Sequence, residues 1–285
     1  MNEEEILIIG SKGQLGKALS AKYPNAKKVD SDELDITNND ALLGFDWSKV
    51  SIILNAAAYT NVDGAESEDG RKMAWKINAE AVKNLSAICI KYDIKIIHIS
   101  TDYVFDGTNA IHEEIESFSP LGVYGQSKAA GDLVITLVPK HYVLRTSWVI
   151  GDGHNFVRTM LDLAKRNISP KVVSDQIGRL TFTSELVRAI DFLIANGSPF
   201  GIYNLSNEGK SVSWSEVARK IFEIGKFNEI KVQDISTREY FKDKDGIAPR
   251  PLQSTLNLDK IHKLGFKSRN WEEDLIEYIK KELNK

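Results

Sequence analysis

Glu5-Ile-Leu-Ile-Ile-Gly10-Ser-Lys-Gly13-Gln-Leu-Gly16 is the stretch on which the fold turns. The apolar run reads as a strand, the residues from Gly10 to Gly13 as a turn, and Gln14-Leu15-Gly16 as the opening of a helix. The glycines follow a GxxGxxG spacing rather than GxGxxG, and they are needed where backbone approaches a pyrophosphate at a helix N-terminus. A strand, glycine turn and helix also occur as plain structure, so the context has to decide. Lys27-Lys-Val-Asp30 reads as the second strand, with Asp30 about 20 residues past the first glycine, where a carboxylate accepts hydrogen bonds from a ribose diol. Asp30 leans toward NADH. Lys12 in the loop is placed to neutralise a 2′-phosphate, which keeps NADPH open. Asp35 and Ile36 follow, either covering the adenine edge or, for Asp35, capping a helix.

A second apolar run, Ser51-Ile-Ile-Leu-Asn-Ala-Ala-Ala58, ends in small residues that let a flat cofactor lie against the backbone. Asn55, Ala56 and Ala57 are expected beside its nicotinamide half, although three alanines at a strand end also suit tight packing. A third, Ile94-Lys-Ile-Ile-His-Ile99, reads as a buried parallel strand. It delivers Ser100-Thr101-Asp102 at its carboxyl end, where open α/β sheets bind ligands. Downstream, Pro120-Leu-Gly-Val-Tyr-Gly-Gln-Ser-Lys128 places Tyr124 and Lys128 four residues apart on one helix face. By itself such a pair is a packed aromatic beside a solvated lysine. The strand-end Thr101 and the glycine loop reverse that judgement.

These residues suit ketone reduction, in which a nicotinamide supplies hydride and the protein supplies a proton. Tyr124 is the expected acid. A free phenol has a pKa of about 10, and Lys128 one turn away stabilises the phenolate left after transfer. Thr101 offers a hydroxyl to the developing alkoxide. Asn78 supports a proton relay or serves as a structural hydrogen-bonder, and His98 reads as a satisfied core histidine. Arg250, between prolines in Ala248-Pro-Arg-Pro251, suits bidentate phosphate recognition, with Arg179 a second candidate.

Of the 285 residues, 42% are apolar and 27% charged, enough for a sizeable core. A formal charge of −3 gives no basic field for nucleic acid or an anionic membrane. The single cysteine, Cys89, sits in an apolar stretch and reads as a buried small side chain. No signal peptide or spanning segment is evident, which leads to an expectation of a cytoplasmic protein. No His, Asp or Glu grouping has metal-ligand spacing.

Strands alternate with helical patterns up to about residue 148, implying an α/β, Rossmann-type, doubly wound parallel sheet. The expected division is a dinucleotide-binding domain over 1–150 and a smaller C-terminal lobe, mainly substrate-binding, over 151–285. Segments near 183–205 are expected to return to the main sheet. A helix is expected over 71–92, and a strand near 230–235.

With these runs in place, the chain resembles the extended short-chain dehydrogenase/reductase family. The resemblance covers nearly the whole chain, through Gly13-Gln-Leu-Gly16, Asn55-Ala-Ala-Ala-Tyr-Thr-Asn-Val-Asp-Gly-Ala-Glu66, Ser100-Thr-Asp-Tyr-Val-Phe-Asp-Gly107, Tyr124 to Lys128, Arg145-Thr-Ser-Trp148 and Arg250-Pro251. It implies reduction of the 4-keto group of a nucleotide-linked 6-deoxysugar by NADH or NADPH, with Thr101, Tyr124 and Lys128 catalytic. It places Ala58 and Tyr59 with the cofactor, puts Thr60, Val62, Asp102, Tyr103 and Trp148 around the sugar, and allows a homodimer. Two relatives of different activity share the pattern: a cofactor-recycling nucleotide-sugar epimerase or dehydratase, and the regulatory subunit of methionine adenosyltransferase. The sequence departs from the family at Gly122, where an asparagine is usual, and at Leu180, where a proline is usual. Ala18 replaces a glutamate that some members use for magnesium, so no metal is expected there.

Overall fold

The computed structural model describes residues 2–284. Ile6–Ile9 (β1), Lys27–Val29 (β2), Ile52–Asn55 (β3), Lys95–Thr101 (β4) and His141–Thr146 (β5) join Gly201–Asn204 in one six-stranded sheet. All its pairings are parallel, β1 lying between β2 and β3, then β4, β5 and Gly201–Asn204 in turn. The apolar runs lack alternation because both sheet faces are covered. Ile6, Ile8 and Leu54 enter a core with the helix Thr183–Ala195, while Leu7, Ile9 and Ile53 enter another with the helix Ala81–Tyr92. Cys89 belongs to the second core, where burial pushes its thiol up to about 12.

The helical stretch expected over 71–92 begins earlier, at Glu68, with Ser67 capping it by accepting the Gly70 N–H. A π turn, Lys76–Glu80, interrupts it and contains Asn78. Sequence periodicity gave no sign of that extra residue. The strand expected near 230–235 is confined to Gln233–Ile235, paired with Lys171–Val173 alone.

A third core lies in the C-terminal half. Val157 and Leu161 from the helix Phe156–Lys165 meet Val217 and Ile221 from Trp214–Ile224, and Leu275 and Ile279 from Trp271–Leu283. This core shares no residue with the sheet cores, whereas Gly201–Asn204 pairs with β5 in the main sheet. No helix among the described residues is long and apolar enough to cross a membrane.

Candidate active site

The strand order reverses between β1 and β3, and there the two chain segments touch. Gly10 has φ +77°, and a Cβ on it would stand 2.7 Å from Ala57 N. A Cβ on Gly16 would stand 2.0 Å from the Gly10 carbonyl oxygen. Any side chain at either position would fill the loop. Gly13 begins the helix Gln14–Lys22 without a side-chain cap, so the first-turn N–H groups are left for an anion. A cavity of about 510 Å³ opens beside them, lined by Gly10, Lys12, Gly13, Asp30, Asp35, Ile36 and Ala56 to Ala58. Its shape and donors fit a dinucleotide. Leu34, Met73 and Ile77 also line it; the sequence reading missed them, although Met73 and Ile77 have the i, i+4 spacing of one helix face.

Several side chains have partners that the sequence did not reveal. Asp30 Oδ2 accepts the Lys12 N–H at 2.9 Å and Oδ1 accepts the Ser31 N–H at 2.9 Å, so this carboxylate ties the glycine loop to the end of β2. Oδ2 retains a lone pair for a ribose, while Oδ1 also accepts weakly from the Ser31 hydroxyl at 3.5 Å. The Lys12 ammonium does not stand free for a phosphate, because it pairs with Asp32 at 2.6 Å. Both partners are largely exposed, and such pairs contribute little, so an incoming dianion can displace Asp32. Asp35 accepts from the Thr37 hydroxyl and N–H at 2.7 and 2.9 Å, which hold its carboxyl below the ordinary range. Its Oδ1 thus caps a turn while the residue still lines the cavity. Gln14 Oε1 accepts from Gly151 N at 2.9 Å, reaching the C-terminal half instead of the loop, and Leu15 is buried in core.

Thr101 ends β4, its Oγ1 accepting the Tyr103 N–H and donating to Asp102 Oδ1, both at 3.2 Å. Tyr124 stands edge-on to Tyr103 with centroids 5.5 Å apart. Burial raises the Tyr124 phenol above its ordinary range, and a hydrogen bond with Thr101 opposes that shift. The phenol is therefore held protonated at neutral pH. Lys128, 1% exposed, donates from Nζ to the Ile99 carbonyl at 2.7 Å and lies 3.3 Å from His98 Nε2. Burial lowers it to about 8 against the pull of Asp132. Asn78 is fully engaged: its Oδ1 accepts from Tyr59 N at 2.8 Å, and its Nδ2 donates to the Tyr59 carbonyl and Ser127 Oγ at 3.1 and 3.0 Å. Its role is structural, holding the Tyr59 backbone beside the helix that carries Tyr124.

Next to Thr101, Asp102 is 2% exposed, and burial lifts its carboxyl to about 6 despite hydrogen bonds from Ser254 and Thr101. Thr60 is exposed and Val62 half-buried on the segment after β3. Trp148 has φ +48° and stacks on Trp214 with centroids 3.7 Å apart, so one ring face is already covered. Arg250 makes a two-pronged pair with Asp63, at 2.5 and 2.8 Å. It borders a cavity of about 240 Å³ with Phe156, Trp214 and Tyr240. Arg179 is not brought to that cavity; its guanidinium donates to the Leu256 carbonyl in a buried setting that lowers its basicity.

A parallel sheet that opens a dinucleotide cradle at its reversal point, beside a buried lysine and a protonated phenol, is the architecture of extended short-chain dehydrogenase/reductases. Within that class, residues 4–284 match the family described as RmlD substrate binding domain, and the chain belongs to that family. A dTDP-4-dehydrorhamnose reductase of Aggregatibacter actinomycetemcomitans is 37% identical over 95% of this chain and 96% of its own length. A dTDP-4-keto-6-deoxy-D-glucose reductase of Streptomyces niveus is 33% identical over 76% and 77%. The crystal structure of dTDP-4-dehydrorhamnose reductase from Bacillus anthracis in complex with NADP aligns with a TM-score of 0.88 at 34% identity, covering 97% of this chain and 98% of that one.

Proposed function

We propose that the chain reduces the 4-keto group of dTDP-4-dehydro-L-rhamnose to give dTDP-L-rhamnose, using NADH or NADPH. The observation that carries this reading is the placement of Tyr124, edge-on to Tyr103 beside the strand-end Thr101, one helical turn from the 1%-exposed Lys128 and next to the cradle. The relatives' names support the substrate class.

The reduced nicotinamide, when bound, supplies hydride to the carbonyl carbon. Tyr124 gives its phenolic proton to the carbonyl oxygen as negative charge develops there. Thr101 Oγ1 turns its single proton from Asp102 Oδ1 to the same oxygen. Lys128 favours the phenolate that remains and is available to the cofactor ribose, while Asp30 and the Gly10–Gly16 loop hold the other end. Residues 1–150 thus serve mainly the cofactor and 151–285 mainly the sugar. Thr60, Val62, Asp102, Tyr103 and Trp148 border the sugar, and Arg250 meets the diphosphate after leaving Asp63. Arg179 stays on Leu256 and takes no part. The setting is a cytoplasmic enzyme, able to form a homodimer.

The test is an assay series of dTDP-, UDP- and GDP-4-keto-6-deoxysugars with NADH and NADPH. Stoichiometric loss of reduced cofactor, fastest with the dTDP sugar, is expected. Turnover without net cofactor loss would instead indicate an epimerase or dehydratase, and complex formation with a synthetase without turnover would indicate a regulatory subunit. Tyr124→Phe should lower kcat by about 10²–10⁴-fold with cofactor affinity retained; near-normal turnover would remove Tyr124 as the acid.

A further inference from the structure

His98 lies in β4, three residues before Thr101, with none of its surface exposed. Its ring bridges two neighbours. Nδ1 is 3.1 Å from Asn55 Nδ2 on β3, and Nε2 is 3.3 Å from Lys128 Nζ on the helix Val123–Ile135. The Asn55 amide is oriented by Ala57, whose N–H donates to Asn55 Oδ1 at 3.2 Å. Its Nδ2–H therefore faces His98, so Nδ1 must accept and the ring proton sits on Nε2. That proton points at Lys128. An ammonium has no lone pair, so it would meet Nε2–H as donor against donor, whereas the neutral amine accepts the hydrogen bond.

Resting on the assignment of Tyr124 and Lys128 as acid and cation, we propose that His98 is a positioning residue that stabilises the neutral amine of Lys128, making the Lys128 ammonium a ready proton source for Tyr124. The proton balance closes. Tyr124–OH gives its proton to the alkoxide oxygen, and the Lys128 ammonium gives one to the phenolate. The amine left behind accepts the Nε2–H hydrogen bond, and His98 keeps its own proton. Water returns a proton to Lys128 once product leaves.

The charged surroundings are few. On its own helix Lys128 faces Asp132, which favours the ammonium but is itself paired with Arg145 of β5, Nε to Oδ2 at 3.2 Å. Asp102 lies at the end of β4 near Tyr124, and β3 presents only the neutral Asn55. Burial and the Lys128 charge hold His98 well below its ordinary value, so the ring stays neutral. Asn78 near this helix has its amide committed to Tyr59 and Ser127, and Glu66 accepts from Val123 N at the far end of the helix.

The test reads the pH dependence of kcat at saturating cofactor and sugar, where activity falls on the alkaline side as Lys128 loses its proton. His98→Leu removes the Nε2–H and should move that limb upward by about half a pH unit or more, the shift a lost neutral hydrogen bond carries. His98→Gln returns an N–H near the Nε2 position and should restore the limb toward wild type. A limb unmoved in His98→Leu, or moved equally in both variants, overturns the proposal. Nitrogen NMR of the histidine-labelled wild-type protein gives a reading independent of the folding of the Leu variant, with His98 assigned by its loss in His98→Gln. A neutral Nε2–H ring from pH 6 to 9 is expected; an Nδ1–H ring or an imidazolium overturns it. Lys128→Met distinguishes the two layers. Retained turnover there would reject the acid–cation assignment, whereas lost turnover with an unmoved limb rejects the role of His98 alone.

Discussion

Replacing Asp102 by asparagine should stabilise the fold at alkaline pH. Burial lifts this carboxyl from 3.8 to about 6, a shift of about two units, and each unit is worth about 1.4 kcal/mol. Below pH 3.8 the folded and unfolded chains both hold the proton, and ionisation costs nothing. Between there and about pH 6 the unfolded chain releases its proton while the folded chain keeps it, so stability falls as pH rises. Above that point the full cost, about 3 kcal/mol, is present, and roughly half of it accumulates between pH 5 and pH 8. Asp102→Asn removes the ionisation but keeps the volume. Urea unfolding of both proteins at pH 5 and pH 8 should show the variant's advantage growing by more than 1 kcal/mol, a size such midpoints resolve readily. Other titrating groups are common to both chains and cancel. A difference that stays flat with pH would mean that Asp102 is ionised at no cost in the fold, and the account of its burial would be wrong.

Asp30→Ala should shift kcat/KM toward NADPH, because the carboxylate that accepts from a ribose diol also repels a 2′-phosphate; an unchanged ratio would reduce Asp30 to a tie between Lys12 and Ser31. Gly16→Ala forces a Cβ to within 2.0 Å of the Gly10 oxygen, so cofactor affinity by fluorescence titration should fall, and stability by urea unfolding should drop by the roughly 1–3 kcal/mol typical of overpacking. Normal binding would mean that the loop yields freely. Arg250→Ala should weaken nucleotide-sugar binding about tenfold by calorimetry, less than an unpaired arginine would cost, since it already has Asp63. Asp63→Ala should tighten the same binding, and weakening in both variants would show that Asp63 positions Arg250 rather than competing for it.

What was legible in the sequence was local. Gly10 and Gly16 are recognisable by spacing because backbone atoms of their own loop and of β3 leave no room for a side chain. Tyr124 and Lys128 are recognisable because four residues make one helical turn, and Thr101 because it ends an apolar run. The rest depends on pairs far apart in the chain. Asp32 takes Lys12, Leu256 takes Arg179, Asp63 takes Arg250 and Trp214 covers Trp148. Nothing within the segment around any of these residues marks its partner. His98 shows the same limit from the other side: its burial was legible, but its place between Asn55 and Lys128 needed three elements in register.

In the role proposed for Arg250, its pair with Asp63 would make the anion site selective before any ligand arrives. Asp63 carries its charge at neutral pH: burial pushes its carboxyl up, but Arg250 and the Ala248 N–H more than reverse that shift. A bare phosphate that reaches Arg250 must break one two-pronged contact to form another of similar kind, and the exchange leaves it with almost nothing gained. A ligand that also brings a base and a sugar ring adds contacts with no counterpart in the resting protein. In that proposed role the site favours molecules that reach beyond it over a bare phosphate, without a gate or a steric barrier.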